Sequence, residues 1–246
     1  MPSTPPEVKV LPDPAAVAAE AAERVTRAAA DAVAAAGRFS IALAGGSTPK
    51  ALYELLATDA YRNRIDWANV EVYFGDERTV PPDHPDSNYR MAREALLAKV
   101  PVPESNVHRM RGEIDPEQAA KEYGQLLKDR FGDSGPDMVL LGMGDDGHTA
   151  SLFPGTPALH EPKHRCVANP VPKLNTTRLT MTAPFINRAA DVILLVTGAS
   201  KAARLAEVLE GPRDPDRLPV QLIQPTTGRL AWLVDVAATG MHANDG

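Results

Sequence analysis

The sequence predicts a doubly wound α/β fold, in which a mostly parallel sheet carries helices on both faces. Strand and helix signals alternate along most of the chain, which is the pattern of consecutive β-α-β units. Residues 137–142 and 192–196 are almost purely apolar, as expected of strands that are covered on both faces. The chain has 246 residues with no internal repeat or low-complexity linker, so we expect residues 1–246 to form a single domain.

The clearest element of the first half is an alanine-rich helix over residues 14–36, which Asp13 and Pro14 open and Gly37 closes. Short apolar runs bounded by glycine or polar residues predict buried strands. In chain order, the strands predicted in this half cover residues 8–11, 40–44, 70–74 and 106–110, and the other helices cover residues 49–57 and 89–97.

In the second half, Asp115 is placed to cap a helix over residues 116–131. Proline-rich stretches are predicted to form loops, because proline lacks the N–H that a regular ladder needs. The predicted strands cover residues 137–142, 176–182, 192–196 and 230–236, a further helix covers residues 201–209, and the predicted loops are residues 75–78, 79–88, 154–172 and 211–225.

The composition excludes several function classes. Net charge is −6, from 32 acidic and 26 basic residues, so the chain has no general attraction for nucleic acid or anionic membranes. No apolar run approaches the ~20 residues of a membrane span, and residues 1–9 lack a secretory apolar stretch. Cys166 is the only cysteine, which excludes an intrachain disulfide. We therefore expect a cytoplasmic protein, which is a monomer or small homo-oligomer and which would need a local cluster of donors to bind an anion.

Four predicted strands end in unusual polar segments. The carboxyl ends of parallel strands meet at one edge of a sheet, so these segments are expected to line a single crevice. In chain order they are Gly45-Gly46-Ser47-Thr48, Gly75-Asp76-Glu77-Arg78, Gly142-Met143-Gly144-Asp145-Asp146-Gly147-His148 and Thr197-Gly198-Ala199-Ser200-Lys201.

The first of these segments has the features of a phosphate site. Gly45 and Gly46 allow a ligand to approach the backbone closely. Ser47 and Thr48 begin a helix, whose free N–H groups and positive dipole end attract anions. The alternative is that one hydroxyl only caps the helix. The segment is neither a Walker loop nor a dinucleotide loop, because the required lysine and glycine spacings are absent.

Two basic residues could complete a monophosphate clamp with Ser47 and Thr48. Lys201 stands at the start of a helix, where a positive charge is unfavourable, so an anion in the crevice would compensate it. The alternative is a solvated surface lysine. Arg178 lies on an alternating strand, where it faces either the crevice or water. A guanidinium in the crevice would bind phosphate oxygens in bidentate fashion.

His148 is the residue best suited to proton transfer near neutral pH. Asp146 could orient or charge-stabilise its imidazole, although residues two apart in sequence need not touch. The loop glycines Gly142, Gly144 and Gly147 could aim backbone N–H groups at an oxyanion. The alternative is that His148 has only a structural role in a Gly/Asp-rich turn.

The turn after the third strand carries two acids and an arginine. Asp76, Glu77 and Arg78 are expected at the same crevice, where they could contact a polar ligand. The alternative is an ion-paired turn on the surface.

Two other chemistries are not supported. His160, His164 and Cys166 offer only three zinc ligands, and Pro162 breaks the helix that would align the two histidines, so we expect no metal site. A Gly-x-Ser-x-Gly nucleophile elbow is absent, so a serine-hydrolase triad is not expected.

Together the segments resemble the 6-phosphogluconolactonases, within the glucosamine-6-phosphate isomerase/6-phosphogluconolactonase family. Deaminases of this family share the Gly-Gly-Ser/Thr-Pro loop but carry Ile-Ala-Phe-Asn-Glu-Pro after the histidine, and tyrosine in place of Arg78. The matching segments here are Leu43-Ala44-Gly45-Gly46-Ser47-Thr48-Pro49, Phe74-Gly75-Asp76-Glu77-Arg78, Ser87-Asn88-Tyr89, Leu141-Gly142-Met143-Gly144-Asp145-Asp146-Gly147-His148-Thr149-Ala150-Ser151-Leu152-Phe153-Pro154-Gly155 and Thr197-Gly198-Ala199-Ser200-Lys201.

The resemblance implies hydrolysis of 6-phospho-D-glucono-1,5-lactone to 6-phospho-D-gluconate in the pentose phosphate pathway, without a metal or organic cofactor. His148 would be the catalytic base. Asp76 and Arg78 would lie at the reacting end or at sugar hydroxyls, and Arg78 could also reach the phosphate. The residues implied for the 6-phosphate are Gly45, Gly46, Ser47, Thr48, Arg178 and Lys201.

Two alternatives remain open at this stage. One is a glucosamine-6-phosphate deaminase, which would use Asp76 as a carbon base and His148 for ring opening. The other is a sugar-phosphate-binding module without catalysis.

Overall fold

A computed structural model describes residues 5–241, so residues 1–4 and 242–246 of the predicted domain lie outside the described residues. The strands in this range are β1 (Glu7–Leu11), β2 (Phe39–Leu43), β3 (Val70–Phe74), β4 (Asp76–Arg78), β5 (Met138–Gly142), β6 (Cys166–Val171), β7 (Thr176–Met181), β8 (Asp191–Val196) and β9 (Arg229–Asp235). The α-helices are α1 (Pro14–Ala36), α2 (Ser47–Leu56), α3 (Asp59–Arg62), α4 (Asn88–Ala92), α5 (Pro116–Phe131), α6 (Ala183–Ile186) and α7 (Ala202–Glu210).

The two long helices have the bounds that the sequence predicts. Asp13 accepts a hydrogen bond from the N–H of Ala16 at 2.8 Å and so caps α1, which ends at Gly37 in the left-handed region with φ of 72°. Asp115 caps α5 in the same way. The predicted helix over residues 89–97 begins as α4 and continues as a π turn over Arg93–Leu97.

The main sheet of the described residues has the strand order β1-β9-β8-β5-β2-β3, and all of its neighbouring strands are parallel. The chain moves outward from β2 to β3 and later adds β5, β8 and β9 on the other side of β2. The order therefore reverses between β2 and β5, which is the point at which open parallel sheets bind their ligands.

Helices cover both faces of this sheet, as predicted. In β5, Leu140 packs in the core formed with α1 and α2, whereas the next residue, Leu141, packs in the core formed with α5 and α7. Tyr53 of α2 and Tyr123 of α5 are among the residues buried on these opposite faces. Because successive side chains of a strand point to opposite faces, a strand covered on both sides must be apolar at every position.

A second sheet corrects two predicted loops. It is antiparallel, with the order β4-β7-β6, and only β7 was predicted as a strand. The predicted turn at residues 75–78 contains β4, and the predicted loop at residues 154–172 contains β6. Both were missed because β4 has no apolar residue and β6 contains Pro170, so their strand character comes from pairing with β7.

The predicted strand over residues 106–110 is also corrected. Only an isolated bridge forms there, between Val107 and Val72, and the N–H of His108 donates to the carbonyl of Val72 at 2.8 Å. The chain then turns away from the sheet toward β4. At Gly112 it passes so close to the carbonyl of Arg78 that a Cβ would fall within 2.2 Å of that oxygen.

Candidate active site

The four polar segments predicted from the sequence meet in one cleft of about 380 Å³ at the carboxyl ends of β2, β5 and β8. The second sheet closes one side, through β4 and β7. The predicted residues that line the cleft are Gly45, Gly46, Ser47, Thr48, Asp76, Arg78, His148, Arg178 and Lys201. Asp146 does not line it but contacts His148. Further lining residues include Asn88, Gly144, Ser151, Phe153, Thr197 and Ser200.

The turn between β2 and α2 brings backbone to the cleft surface. Gly46 adopts a φ of 103°, which side chains disfavour, and α2 begins at Ser47 without a side-chain cap. Neither hydroxyl therefore has the capping role considered above. A Cβ on Gly45 would lie 2.0 Å from the Asn88 side-chain oxygen, so only glycine fits there. The N–H groups of the first helical turn consequently face a surface that an anion can approach.

The loop after β8 approaches the same place from the neighbouring strand. The hydroxyl oxygens of Thr48 and Thr197 are 2.7 Å apart, which joins the two loops directly. Gly198 has a φ of 95° and donates its N–H to the carboxylate of Asp235. Lys201 follows, and its ammonium lies 2.6 Å from the carboxylate of Asp145. The anion that compensates Lys201 in this structure is therefore Asp145, on the loop after β5.

Two arginines face each other across the β4–β7 ladder. Arg78 and Arg178 are direct register partners. Nε and Nη1 of Arg178 are buried without a hydrogen-bond partner among residues 5–241. Burial, and then the nearby charge of Arg78, lower the pKa of Arg178. Buried guanidinium nitrogens without partners are costly, so Arg178 is a candidate partner for an anionic ligand.

Asp76 is buried at the floor of the cleft and is fixed by neutral donors. Ser151 donates its hydroxyl to Oδ2 at 2.7 Å, and the side-chain amide of Asn88 donates to Oδ1 at 3.2 Å and to the carbonyl of Asp76 at 3.0 Å. The sequence predicts no role for Asn88 or Ser151, although both lie in the segments that resemble the family. An acid bound in this way keeps its orientation while it contacts a ligand.

Glu77 points away from the cleft and organises the start of α4. Its carboxylate accepts hydrogen bonds from the N–H groups of Arg78, Asn88 and Tyr89 and from the hydroxyl of Ser87. Burial raises the pKa of Glu77. The segment is therefore not an ion-paired surface turn, because Asp76 and Glu77 are both buried.

His148 lies on the loop after β5 with its ring in a tight slot. Nδ1 is 2.5 Å from Oδ1 of Asp146, so the two residues do touch. Phe153 stacks on the imidazole with a centroid distance of 4.1 Å and an interplanar angle of 24°. Gly144 also approaches the ring closely, because a Cβ on Gly144 would lie 2.1 Å from Cε1 of the imidazole. Nε2 is therefore the nitrogen that remains for a ligand or a water molecule.

The electrostatics of Asp146 favour its ionised form. Burial alone would raise the pKa of Asp146, but hydrogen bonds from Lys173 and His148 outweigh it and lower that pKa well below its usual range. The carboxylate thus stays negative beside the imidazole at all ordinary pH values.

The residues weighed as zinc ligands lie apart from the cleft. His160 pairs with Asp216 at 3.3 Å, His164 pairs with Glu161 at 3.0 Å, and Cys166 is buried in the core. Within residues 5–241, no three His, Cys, Asp or Glu side chains are arranged to bind a metal ion. In the same range, no helix combines the length and the apolar character needed to cross a membrane.

The fold and the cleft together define a doubly wound α/β protein with a histidine–aspartate pair and two neighbouring arginines at its switch point. The chain belongs to the glucosamine-6-phosphate isomerase/6-phosphogluconolactonase family, whose sequence profile matches residues 12–232.

Relatives resemble this chain over most of its length. A 6-phosphogluconolactonase from Synechocystis is 45% identical over 239 residues, covering 95% of this chain and 97% of the relative. The human 6-phosphogluconolactonase is 42% identical over 207 residues, with 82% and 80% covered. The solved structure of the 6-phosphogluconolactonase from Trypanosoma brucei superposes with a TM-score of 0.85 at 29% identity, covering 97% of this chain and 99% of that one.

Proposed function

We propose that this chain hydrolyses 6-phospho-D-glucono-1,5-lactone to 6-phospho-D-gluconate, a step of the pentose phosphate pathway. The observation that carries the proposal is that His148, the start of α2 at Ser47 and Arg178 line one cleft of about 380 Å³. That volume suits a small polar ligand such as a hexose phosphate. Near-full-length relatives named 6-phosphogluconolactonase support the same activity.

The substrate phosphate is proposed to bind at the joined loops after β2 and β8. Ser47 and Thr48 would offer N–H groups and hydroxyls at the start of α2, and Lys201 would supply an ammonium. Arg178 would form a charge-assisted pair with the phosphate through the buried nitrogens that lack partners among the described residues. Binding here would fix the far end of the sugar and present C1 to the histidine.

His148 is proposed to act as the general base. Its Nδ1 is engaged by Asp146, so Nε2 would take a proton from water as that water attacks C1 of the lactone. The C1–oxygen ring bond then breaks, and the imidazolium returns the proton to the departing ring oxygen. Asp146 would stabilise the imidazolium between these two steps.

The oxyanion that forms at C1 needs a donor. Two of the three loop glycines named as candidates are engaged elsewhere, since the N–H of Gly144 donates to the carbonyl of His148 at 2.8 Å and the N–H of Gly147 donates to the carbonyl of Gly144 at 3.0 Å. This corrects the expectation that these two amides meet the oxyanion. Arg78 lines the cleft and carries a positive charge, so we assign the developing negative charge to its guanidinium.

The decisive experiment measures initial rates on freshly generated 6-phosphogluconolactone against a no-enzyme baseline, because the lactone also opens spontaneously. His148→Asn should lower kcat by about 10²- to 10⁴-fold and leave KM nearly unchanged. Near-wild-type turnover in this variant would reject His148 as the base.

Glucosamine 6-phosphate serves as the comparator substrate in the same experiment. Ammonia release from it, without lactone hydrolysis, would favour the deaminase alternative. Saturable binding of 6-phosphogluconate with turnover of neither substrate would favour the binding module.

We also propose that the protein acts in the cytoplasm, as a monomer or small homo-oligomer. The acidic net charge and the single buried cysteine are compatible with a reducing compartment. Gel filtration combined with light scattering would give the oligomeric state.

A further inference from the structure

A lysine that does not reach the cleft completes a chain of charged groups behind His148. Lys173 lies in the connection between β6 and β7, and its Nζ is 2.8 Å from Oδ2 of Asp146. The other oxygen of Asp146 is the partner of His148 Nδ1 at 2.5 Å. Nothing in the sequence links these two residues, because 27 positions separate Lys173 from Asp146.

The two carboxylate oxygens of Asp146 contact different residues. Oδ1 lies 2.5 Å from the ring Nδ1 of His148 and accepts a hydrogen bond from the backbone N–H of the same residue at 3.2 Å. Oδ2 accepts from Lys173, and no other donor to Oδ2 is found among residues 5–241. A carboxylate turns readily about its terminal bond, so the Lys173 partner on Oδ2 adds to the contacts that keep Oδ1 directed at the imidazole.

The ring of His148 has little freedom to compensate for a change in Asp146. Phe153 covers one face, and Gly144 approaches the ring so closely that any side chain there would overlap it. The plane of the imidazole is therefore set by packing. What remains to be set is which ring nitrogen carries the proton, and that depends on the hydrogen bond to Asp146.

We propose that Lys173 is a positioning residue, which holds the Asp146 carboxylate so that His148 keeps its proton on Nδ1 and presents a free Nε2 to water. The proposal rests on the proposed function only in taking His148 as the base. Lys173 borders a separate hollow of about 310 Å³ together with Asp146 and Phe153, and it does not line the cleft. Its effect should therefore fall on kcat rather than on KM.

The test compares Lys173→Met with Lys173→Arg and with a matched control, Lys9→Met. Lys9 also forms an ion pair at 2.8 Å, with Glu20, but lies away from the cleft. Because the Lys173 side chain is 67% exposed, the expected fall in kcat for Lys173→Met is modest, about fivefold, at unchanged KM. Lys173→Arg should recover most of the rate, and Lys9→Met should match the wild type.

A second readout does not depend on turnover. Nitrogen-15 NMR of the histidines, assigned by comparison with His148→Asn, reports which ring nitrogen carries the proton. The wild type and Lys173→Arg should show His148 as the Nδ1–H tautomer. Lys173→Met should show a mixture with the Nε2–H tautomer. Thermal melting of each variant separates this effect from a loss of folding, and Lys173→Gln replaces Lys173→Met if the latter melts early.

The outcomes distinguish the two proposals. If Lys173→Met keeps both the rate of Lys9→Met and the Nδ1–H tautomer, the positioning role of Lys173 is wrong even though the lactonase assignment stands. If the wild type does not hydrolyse the lactone, the proposed function fails, and the tautomer measurement still decides the role of Lys173.

Discussion

The ammonium of Lys201 and the carboxylate of Asp145 lie 2.6 Å apart at the edge of the cleft. The Asp145 side chain is 75% exposed, whereas that of Lys201 is 22% exposed. In the proposed mechanism the same ammonium binds the substrate phosphate. Substrate must therefore compete with a carboxylate of the protein for this cation.

Removing that competitor should tighten substrate binding. We expect Asp145→Asn to lower KM by about two- to fivefold and to leave kcat unchanged, because exposed ion pairs are worth up to about 1 kcal/mol. Steady-state kinetics check this. Asp59→Asn is the control, since it removes the same charge from an exposed pair with Arg62 that lies away from the cleft. A KM that is unchanged or higher in Asp145→Asn would contradict the competition.

Replacing Arg178 by Met should weaken substrate binding without lowering the stability of the fold. Replacement by Met removes a guanidinium whose Nε and Nη1 lack partners among the described residues, so the free energy of unfolding should stay equal or rise. KM should rise by about 10- to 100-fold, because a charged hydrogen bond to phosphate is lost. Urea unfolding and kinetics on the same preparation measure both. Arg130→Met, which removes an exposed arginine paired with Glu71, should leave KM unaltered.

Gly144 should be required for the placement of the imidazole. In Gly144→Ala the new Cβ would meet Cε1 of His148 at 2.1 Å, so the ring must leave its slot against Phe153. We expect kcat to fall by at least about tenfold in steady-state assays. The control is Gly124→Ala in α5, where the nearest atom would be at an ordinary 3.7 Å. That change should retain activity and raise stability by about 0.5–1 kcal/mol. Equal rates in the two variants would show that the slot does not set the ring position.

Acid should weaken a link between α1 and the segment after α3. Glu23 and Arg64 form two hydrogen bonds of 2.7 Å, which lower the pKa of Glu23 from 4.5 to about 2. Because the folded-state pKa is the lower one, this pair stabilises the fold above the unfolded value of 4.5, and that stability is lost as the pH falls through about 2.

Glu23→Gln should therefore lower the melting temperature at neutral pH, and its difference from the wild type should shrink steadily as the pH falls below 4.5. Circular dichroism melts across this pH range measure the difference. Glu54→Gln, at a looser pair with Lys50 of 3.7 Å, provides the comparison. A difference that stays constant with pH would mean that the pair contributes nothing through its charge.

The central sheet and the cleft are predictable from the sequence because their signals are local. The apolar run of β5 follows from cover on both faces, and the polar segments after β2, β5 and β8 must converge because parallel strands share an end. The second sheet is not predictable in this way, because β4 and β6 become strands only by pairing with β7.

Side-chain contacts between distant parts of the chain are likewise not predictable from local sequence signals. Position in the sequence suggested the pairing of Asp146 with His148, but it gave no sign of Lys173, which reaches Asp146 from the β6–β7 connection. Asn88 and Ser151 were missed for a related reason. Their hydrogen bonds to Asp76 join parts of the chain that only the folded structure brings together.

The β6–β7 hairpin supplies two of the side chains discussed above. Arg178 on strand β7 lines the cleft, and Lys173 in the connection between the two strands binds Asp146. Side chains alternate along a strand, so deleting a single residue from this hairpin would turn Arg178 toward the wrong side and shift Lys173 away from Asp146 in the same event. Substrate capture and activation of the base would then be lost together, although no residue of the main sheet had changed. Natural insertions and deletions should accordingly be rarer in this hairpin than in the loop at residues 211–225.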